Sequence, residues 1–293
     1  MSMLKWRLFF GAILIALLGA IFTLDGYFAG LPDPDTVSGT LLRDGFVLAL
    51  FAAVLAAAGA FEFAQLVREA GYRPFSRLMV LAAMALAVIP VFSLQLQAYA
   101  LDTAAVAAII LCFAFDAQIA RRETQRAVAH VGVTIFGILY VGLLLSYIVK
   151  VRTDFGPLAV VVMVAAVKSG DMGAFFTGKA FGRHKLAPWL SPGKTIEGLI
   201  GALAASTIVT VICARAFAIP NLDWPAAAAI GLLLGLVGHF GDLIESLIKR
   251  DCGAKDSARM LPAFGGVLDL VDSVLPAGLI WYIILSNIQA STG

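Results

Sequence analysis

The sequence predicts an all-α integral membrane protein: a polytopic bundle of about nine transmembrane helices with a polar cavity facing the cytoplasm. Three observations predict it. The 293 residues are 61% hydrophobic and 14% charged, whereas a soluble domain is roughly 45–50% apolar. The apolar residues gather into nine runs of about 20 residues, each enough to cross roughly 30 Å of hydrocarbon. The alternating pattern of a β-barrel strand is missing, which leaves helices to pair every backbone group within lipid.

The first run, 4–24, follows Lys5 and Arg7. It is long for a signal peptide and lacks a small-residue cleavage site near Asp25, so it reads as an uncleaved anchor. Pro32, Asp33, Pro34 and Asp35 make a turn-rich connector. The second run, 42–66, carries Glu62, which reads as a helix-end acid solvated among Gln65, Arg68 and Glu69. Runs 77–95, 100–118 and 128–149 are scaffold, with Gly132, Gly137 and Gly142 as close packing points and His130 as a boundary residue. Cys112 and Cys213 read as small core residues. Runs 156–178, 196–218, 226–247 and 264–287 complete the bundle. Residues 1–150 thus form a scaffold and 151–293 carry the polar motifs, within one integrated membrane domain.

Loop charges orient the chain. With the N-terminus cytoplasmic, that side also receives Arg68, Arg73, Arg77, Arg121, Arg122, Arg126, Lys179, Arg183, Lys185, Lys194, Lys249, Arg250, Lys255 and Arg259. The opposite side receives chiefly Arg43, Lys150 and Arg152, beside the acids Asp25, Asp33 and Asp35. With no organelle-targeting segment in view, the expected location is a cell inner membrane. The net charge of +2 gives no reason to expect nucleic acid. The cytoplasmic basic clusters suit anionic lipid heads and nucleotides.

The stretch from Gly238 to Ser273 places charge where lipid normally forbids it. On a helix, Asp242, Glu245, Ser246 and Lys249 stand at i, i+3, i+4 and i+7 and share one face. Asp269 and Asp272 share a face at the entrance of the last run. Carboxylates converging in this way suit magnesium, which takes one or two of them together with waters and substrate phosphates. Ionisable groups at membrane depth are rare and usually functional. Earlier, Lys168 and Asp171 stand at i, i+3 and can pair, which lowers the cost of burying either. Ser191, Pro192, Gly193, Lys194 and Thr195 lead into a helix start with Glu197 in its first turn, offering N–H groups, a dipole end, a lysine and hydroxyls to one anion. The spacing is not that of a Walker A loop. His184 joins this basic patch, and His239, one turn before Asp242, reads as a packed, hydrogen-bonded histidine.

A carboxylate site for a metal, a basic anion-binding turn and a cytoplasmic membrane face together suit phosphoryl or nucleotidyl transfer to a lipid phosphate. An ion-coupled transporter is the competing class, through Lys168, Asp171, Asp242 and Glu245. The absence of inverted repetition and the concentration of charge at one face argue against it.

Three groups of residues resemble the phosphatidate cytidylyltransferases, or CDP-diacylglycerol synthases. The first is Asp171, Gly173, Ala174 and Phe175 with Gly178, Phe181 and Gly182. The second is Ser191 to Thr195 with Glu197 and Gly198. The third is Ser246, Lys249 and Arg250 with Lys255, Asp256, Leu261, Pro262, Gly265, Gly266, Asp269 and Asp272. The resemblance implies that CTP and phosphatidic acid become CDP-diacylglycerol and pyrophosphate, with Mg2+ required and K+ a candidate beside it. It implies Asp242 and Asp269 as the metal-bridging pair, with Asp272, Ser246, Lys249 and Arg250 completing the catalytic site. Lys168, Asp171, Ser191, Lys194, Thr195, Glu197, Lys255 and Asp256 would bind substrate. Membrane lipids and a second copy of the chain, as a homodimer, are the other partners considered. A lipid kinase using CTP and an ether-lipid cytidylyltransferase are the nearer alternatives. Two positions depart from the family signature, which reads His-Gly-Gly and Asp-Arg-x-Asp: Phe264 precedes Gly265 and Gly266, and Leu270 stands between Asp269 and Asp272. Leucine cannot bind phosphate, so either Lys255 or Arg259 supplies the missing charge, or substrate and affinity differ from the usual member.

Overall fold

A computed structural model describes residues 19–28, 45–92, 103–217, 222–254 and 265–291. Among them, seven helices are long and apolar enough to cross a membrane, and a two-stranded hairpin is the one sheet. The chain is therefore an all-α, multi-pass membrane protein. The run at 77–95 gives a shorter apolar helix, and the run at 4–24 is described only from residue 19, where a helix continues to residue 28. Lys5, Arg7, Pro32, Asp33, Pro34, Asp35 and Arg43 lie outside the described residues.

The chain divides into two compact units, Met1–Pro157 with Cys252–Leu270, and Leu158–Asp251 with Val271–Gly293. The first contains α1 (19–28), α2 (Phe46–Glu69), α3 (Ser76–Val88, prolonged by a 3-10 turn Ile89–Phe92), α4 (Thr103–Arg121) and α5 (Ala127–Phe155). Alanines give α2 and α3 nearly smooth inner faces: Ala49, Ala52, Ala56, Ala60, Ala83 and Ala87 are buried. Small residues replace the missing hydrophobic drive between helices in lipid by letting backbones approach. Gly142 sits so close that a Cβ would lie 2.6 Å from Ala83 Cα, and at Gly137 one would lie 2.7 Å from the Phe63 ring. Between these contacts α5 adopts a π-helical stretch, Ile138–Leu143, which re-aims its face. Gly132 differs from the expectation, since no atom lies within 4 Å of where its Cβ would be. His130 lies in the first turns of α5 and is buried, one turn before Thr134, whose hydroxyl donates to the His130 carbonyl (2.8 Å) and accepts from Phe75 N–H (3.0 Å). Asp25 and Arg152 form a buried ion pair tying α1 to α5. Cys112 is exposed on α4 beside the exposed Ile109, Phe113 and Ile119, a lipid-type surface and not the core expected.

The second unit contains α6 (Pro157–Phe181), β1 (Lys185–Ala187), β2 (Ser191–Thr195), α7 (Ile196–Ala216), α8 (Trp224–Asp251) and α10 (Val274–Ala290); the short α9 (Leu268–Val271) falls at the division between the units. Glycine again sets the packing: a Cβ at Gly231 would lie 2.6 Å from Thr207 Cα, and one at Gly173 would collide with the Gly201 carbonyl. Trp281 of α10 is fully buried and donates from its indole nitrogen to the Ala159 carbonyl of α6 (2.9 Å). Thr195 ends β2 and caps α7, its hydroxyl accepting Gly198 N–H at 3.1 Å, as a threonine N-cap does.

Candidate active site

Helical spacing places Asp242, Glu245 and Lys249 on one face of α8, as the sequence requires. Gly241 brings a third acid to that face. A Cβ there would collide with the Asp272 carbonyl and lie 2.8 Å from Pro276, so only glycine lets the chain carrying Asp272 come this close. As a result, one oxygen from each of Asp242, Glu245 and Asp272 lies within 4.8 Å of the other two. Glu245 and Asp272 are buried, and Asp242 is half-buried.

Three lysines face these acids within the same unit. Lys194, at the end of β2, pairs with Asp242 at 2.9 Å and donates to the His239 carbonyl at 3.3 Å. Lys249 pairs with Glu245 at 2.7 Å. Lys168 pairs with Asp171 at 3.1 Å, the contact their spacing in the sequence predicts. Ser273 ties this last pair to the Asp272 segment, accepting from Lys168 at 2.8 Å and donating to Asp171 at 3.0 Å. Its N–H also donates to Asp272 Oδ1 at 2.6 Å. Four carboxylates thus meet three lysines, an arrangement with negative charge in excess. Ser273 escaped the sequence reading as a site residue, and its only signal was adjacency to Asp272. His239 is buried, as expected of a packed histidine, and among the described residues its Nε2 has no hydrogen-bond partner.

The basic turn is built as a hairpin, with β1 and β2 antiparallel. Arg250 donates to the Leu190 carbonyl at 3.3 Å and so fixes the hairpin to the end of α8. Glu197 accepts the N–H groups of Arg183 (3.1 Å) and His184 (3.2 Å) and pairs with the His184 ring at 2.6 Å. These contacts hold Glu197 against the segment that leads into the hairpin. Ser191 and Ser246 are half-buried and Thr195 is buried as the helix cap.

Asp269 lies in the first unit, where its Oδ2 accepts Gly266 N–H at 2.8 Å. Glu62 corrects the sequence reading most. It is fully buried, and its two oxygens accept Val267 N–H (2.8 Å) and Leu268 N–H (2.9 Å). Nothing local in the sequence signals this, because its partners lie some 200 residues on. Lys255, Asp256, Arg259 and Phe264 fall outside the described residues.

Residues 35–288 match the Cytidylyltransferase family. Among curated relatives, the phosphatidate cytidylyltransferase of Brucella suis biovar 1 (strain 1330) is 42% identical over 149 residues, which cover 50% of this chain and 54% of the relative. That of Chlamydia pneumoniae is 30% identical over 84% of each chain. That of Synechocystis sp. (strain ATCC 27184 / PCC 6803 / Kazusa) is 30% identical over 84% of this chain and 90% of the relative. The chain thus spans about half the length of the Brucella relative and most of the other two. Taken with the run of motifs from Asp171 to Asp272, these matches show that the chain belongs to the cytidylyltransferase family.

Proposed function

We propose that the protein transfers the cytidylyl group of CTP to phosphatidic acid, giving CDP-diacylglycerol and pyrophosphate. The observation that carries this reading is the convergence of Asp242, Glu245 and Asp272 within 4.8 Å, ringed by Lys168, Lys194 and Lys249. A site of carboxylate oxygens with no sulfur or imidazole among them fits Mg2+. By the family resemblance Asp269 joins Asp242 as a ligand, with K+ as a second ion. Held by these carboxylates, Mg2+ would supply positive charge against the charge that develops on the phosphate oxygens.

The chain's own residues do the rest. Lys194, Lys249 and Arg250, with Lys255, hold the phosphates of CTP. An oxygen of phosphatidic acid forms a bond to the α-phosphorus, the bond from that phosphorus to the bridging oxygen breaks, and pyrophosphate leaves. No base is required, because a phosphate monoester is already largely ionised near neutral pH. Residues 4–24 and 77–95 would supply the remaining two of nine spans. The loop charges support an active site on the cytoplasmic face of a cell inner membrane, and a homodimer is open to test by sedimentation in detergent.

The test is product formation by purified protein in mixed micelles with CTP and Mg2+, with and without phosphatidic acid. Pyrophosphate released only with the lipid, alongside CDP-diacylglycerol, is the expected result. Release of CDP would point to a lipid kinase, and nucleotide-independent ion flux in liposomes would point to a transporter; either result overturns the proposal.

A further inference from the structure

We propose that Glu62 is a positioning residue for the active site: it clamps the Gly265–Asp269 turn from within α2, so that Asp269 is presented in one fixed orientation. The inference rests on the cytidylyltransferase reading above, in which Asp269 is a metal ligand.

A glutamate in the middle of an apolar helix is costly unless its charge is satisfied, and Glu62 is 0% exposed. Among the described residues no lysine or arginine forms an ion pair with it. Its carboxylate instead spends one oxygen on each of two consecutive N–H groups, those of Val267 and Leu268. These are N–H groups at the start of α9, where no intrahelical acceptor exists. Helix starts are usually capped from within their own chain segment. Here the cap is delivered from another helix, across 205 residues of sequence.

The clamp has a second part. Gly59, one turn before Glu62 on the same face of α2, leaves room for Leu268: a Cβ at Gly59 would lie 3.2 Å from Leu268 Cδ2. Leu268 is almost completely buried there. The turn enters through Gly265 with φ +90°, a left-handed conformation suited to glycine. It closes through Asp269, whose Oδ2 accepts Gly266 N–H. Three consecutive residues, 267 to 269, are thus fixed by a carboxylate cap, an apolar socket and a self-closing hydrogen bond. Outer residues that hold a metal ligand by hydrogen bonds govern affinity and rate without touching substrate.

The test compares wild type with Glu62→Gln, which keeps shape but must aim an NH2 group at one of the two N–H donors, and with Glu62→Ala. Amide exchange of residues 265–271 in detergent micelles reads the clamp directly and needs no activity. Both variants are expected to exchange faster in that segment, with the rest of α2 unchanged. In Glu62→Gln the Mg2+ concentration for half-maximal turnover is expected to rise and kcat to fall by about 10- to 100-fold, with the KM for CTP unaltered. Unchanged exchange in Glu62→Gln, or faster exchange with wild-type kcat and Mg2+ dependence, overturns the proposal. Wild-type protein that shows no lipid-dependent pyrophosphate release would defeat the functional reading instead, and the exchange result would still judge the clamp.

Discussion

Two sets of buried or half-buried acids in this protein solve the same problem in opposite ways. Glu62 is satisfied by the backbone: each oxygen has its own N–H donor, and the group is spent on holding a turn. Asp242, Glu245 and Asp272 are crowded together, and two of them pair with lysines, Asp242 with Lys194 and Glu245 with Lys249. A carboxylate with a backbone donor on each oxygen has less need of a cation than one without. Like charges brought within 4.8 Å of one another repel unless a cation or a proton joins them. The comparison separates a structural acid from a ligand-binding one, and the difference lies in donors, since all four sit on or beside spanning helices.

The sharpest way to break this contrast is Asp242→Asn. Turnover is expected to fall about 100-fold or more, while the thermal midpoint in detergent holds or rises as the repulsion is relieved. A fall in stability with turnover retained would put Asp242 in the structural class with Glu62. Lys194→Met is next: losing one cation that faces Asp242 should raise the KM for CTP about tenfold, read by initial rates across CTP concentrations. Smaller still is Gly142→Ala, far from the acids in sequence. Pressing a methyl toward Ala83 Cα should cost about 1–3 kcal/mol of stability, checked by thermal unfolding in detergent. Gly132→Ala, with open space at its Cβ, should change stability by no more than about 0.5 kcal/mol. Equal shifts for the two glycines would contradict the packing described for α5.

The all-helical membrane class was legible in apolar run lengths because lipid leaves a chain few alternatives. The face shared by Asp242, Glu245 and Lys249 was legible for a similar reason: helical spacing is local and fixed. The Lys168 and Asp171 pair was equally readable. What escaped the sequence depends on long-range approach. Glu62 looked like a solvated helix end because its donors come from residues 267 and 268. The three glycines of α5 looked alike, yet only Gly137 and Gly142 meet a neighbour. Ser273 has no periodic signal, and its role exists only because it lies between Lys168 and Asp171. Glu197, read as part of a phosphate turn, is occupied by the N–H groups of Arg183 and His184, a hairpin contact that capping logic alone would not place.

The most direct test of the central claim is Mn2+ binding by the purified protein, followed through loss of the free Mn2+ paramagnetic resonance signal, in wild type and in the double variant Asp242→Asn with Asp272→Asn. The account predicts saturable binding in wild type that Mg2+ displaces, and loss of that binding in the double variant. Equal Mn2+ binding by both proteins, with the variant folded, would show that the carboxylate cluster is not the metal site.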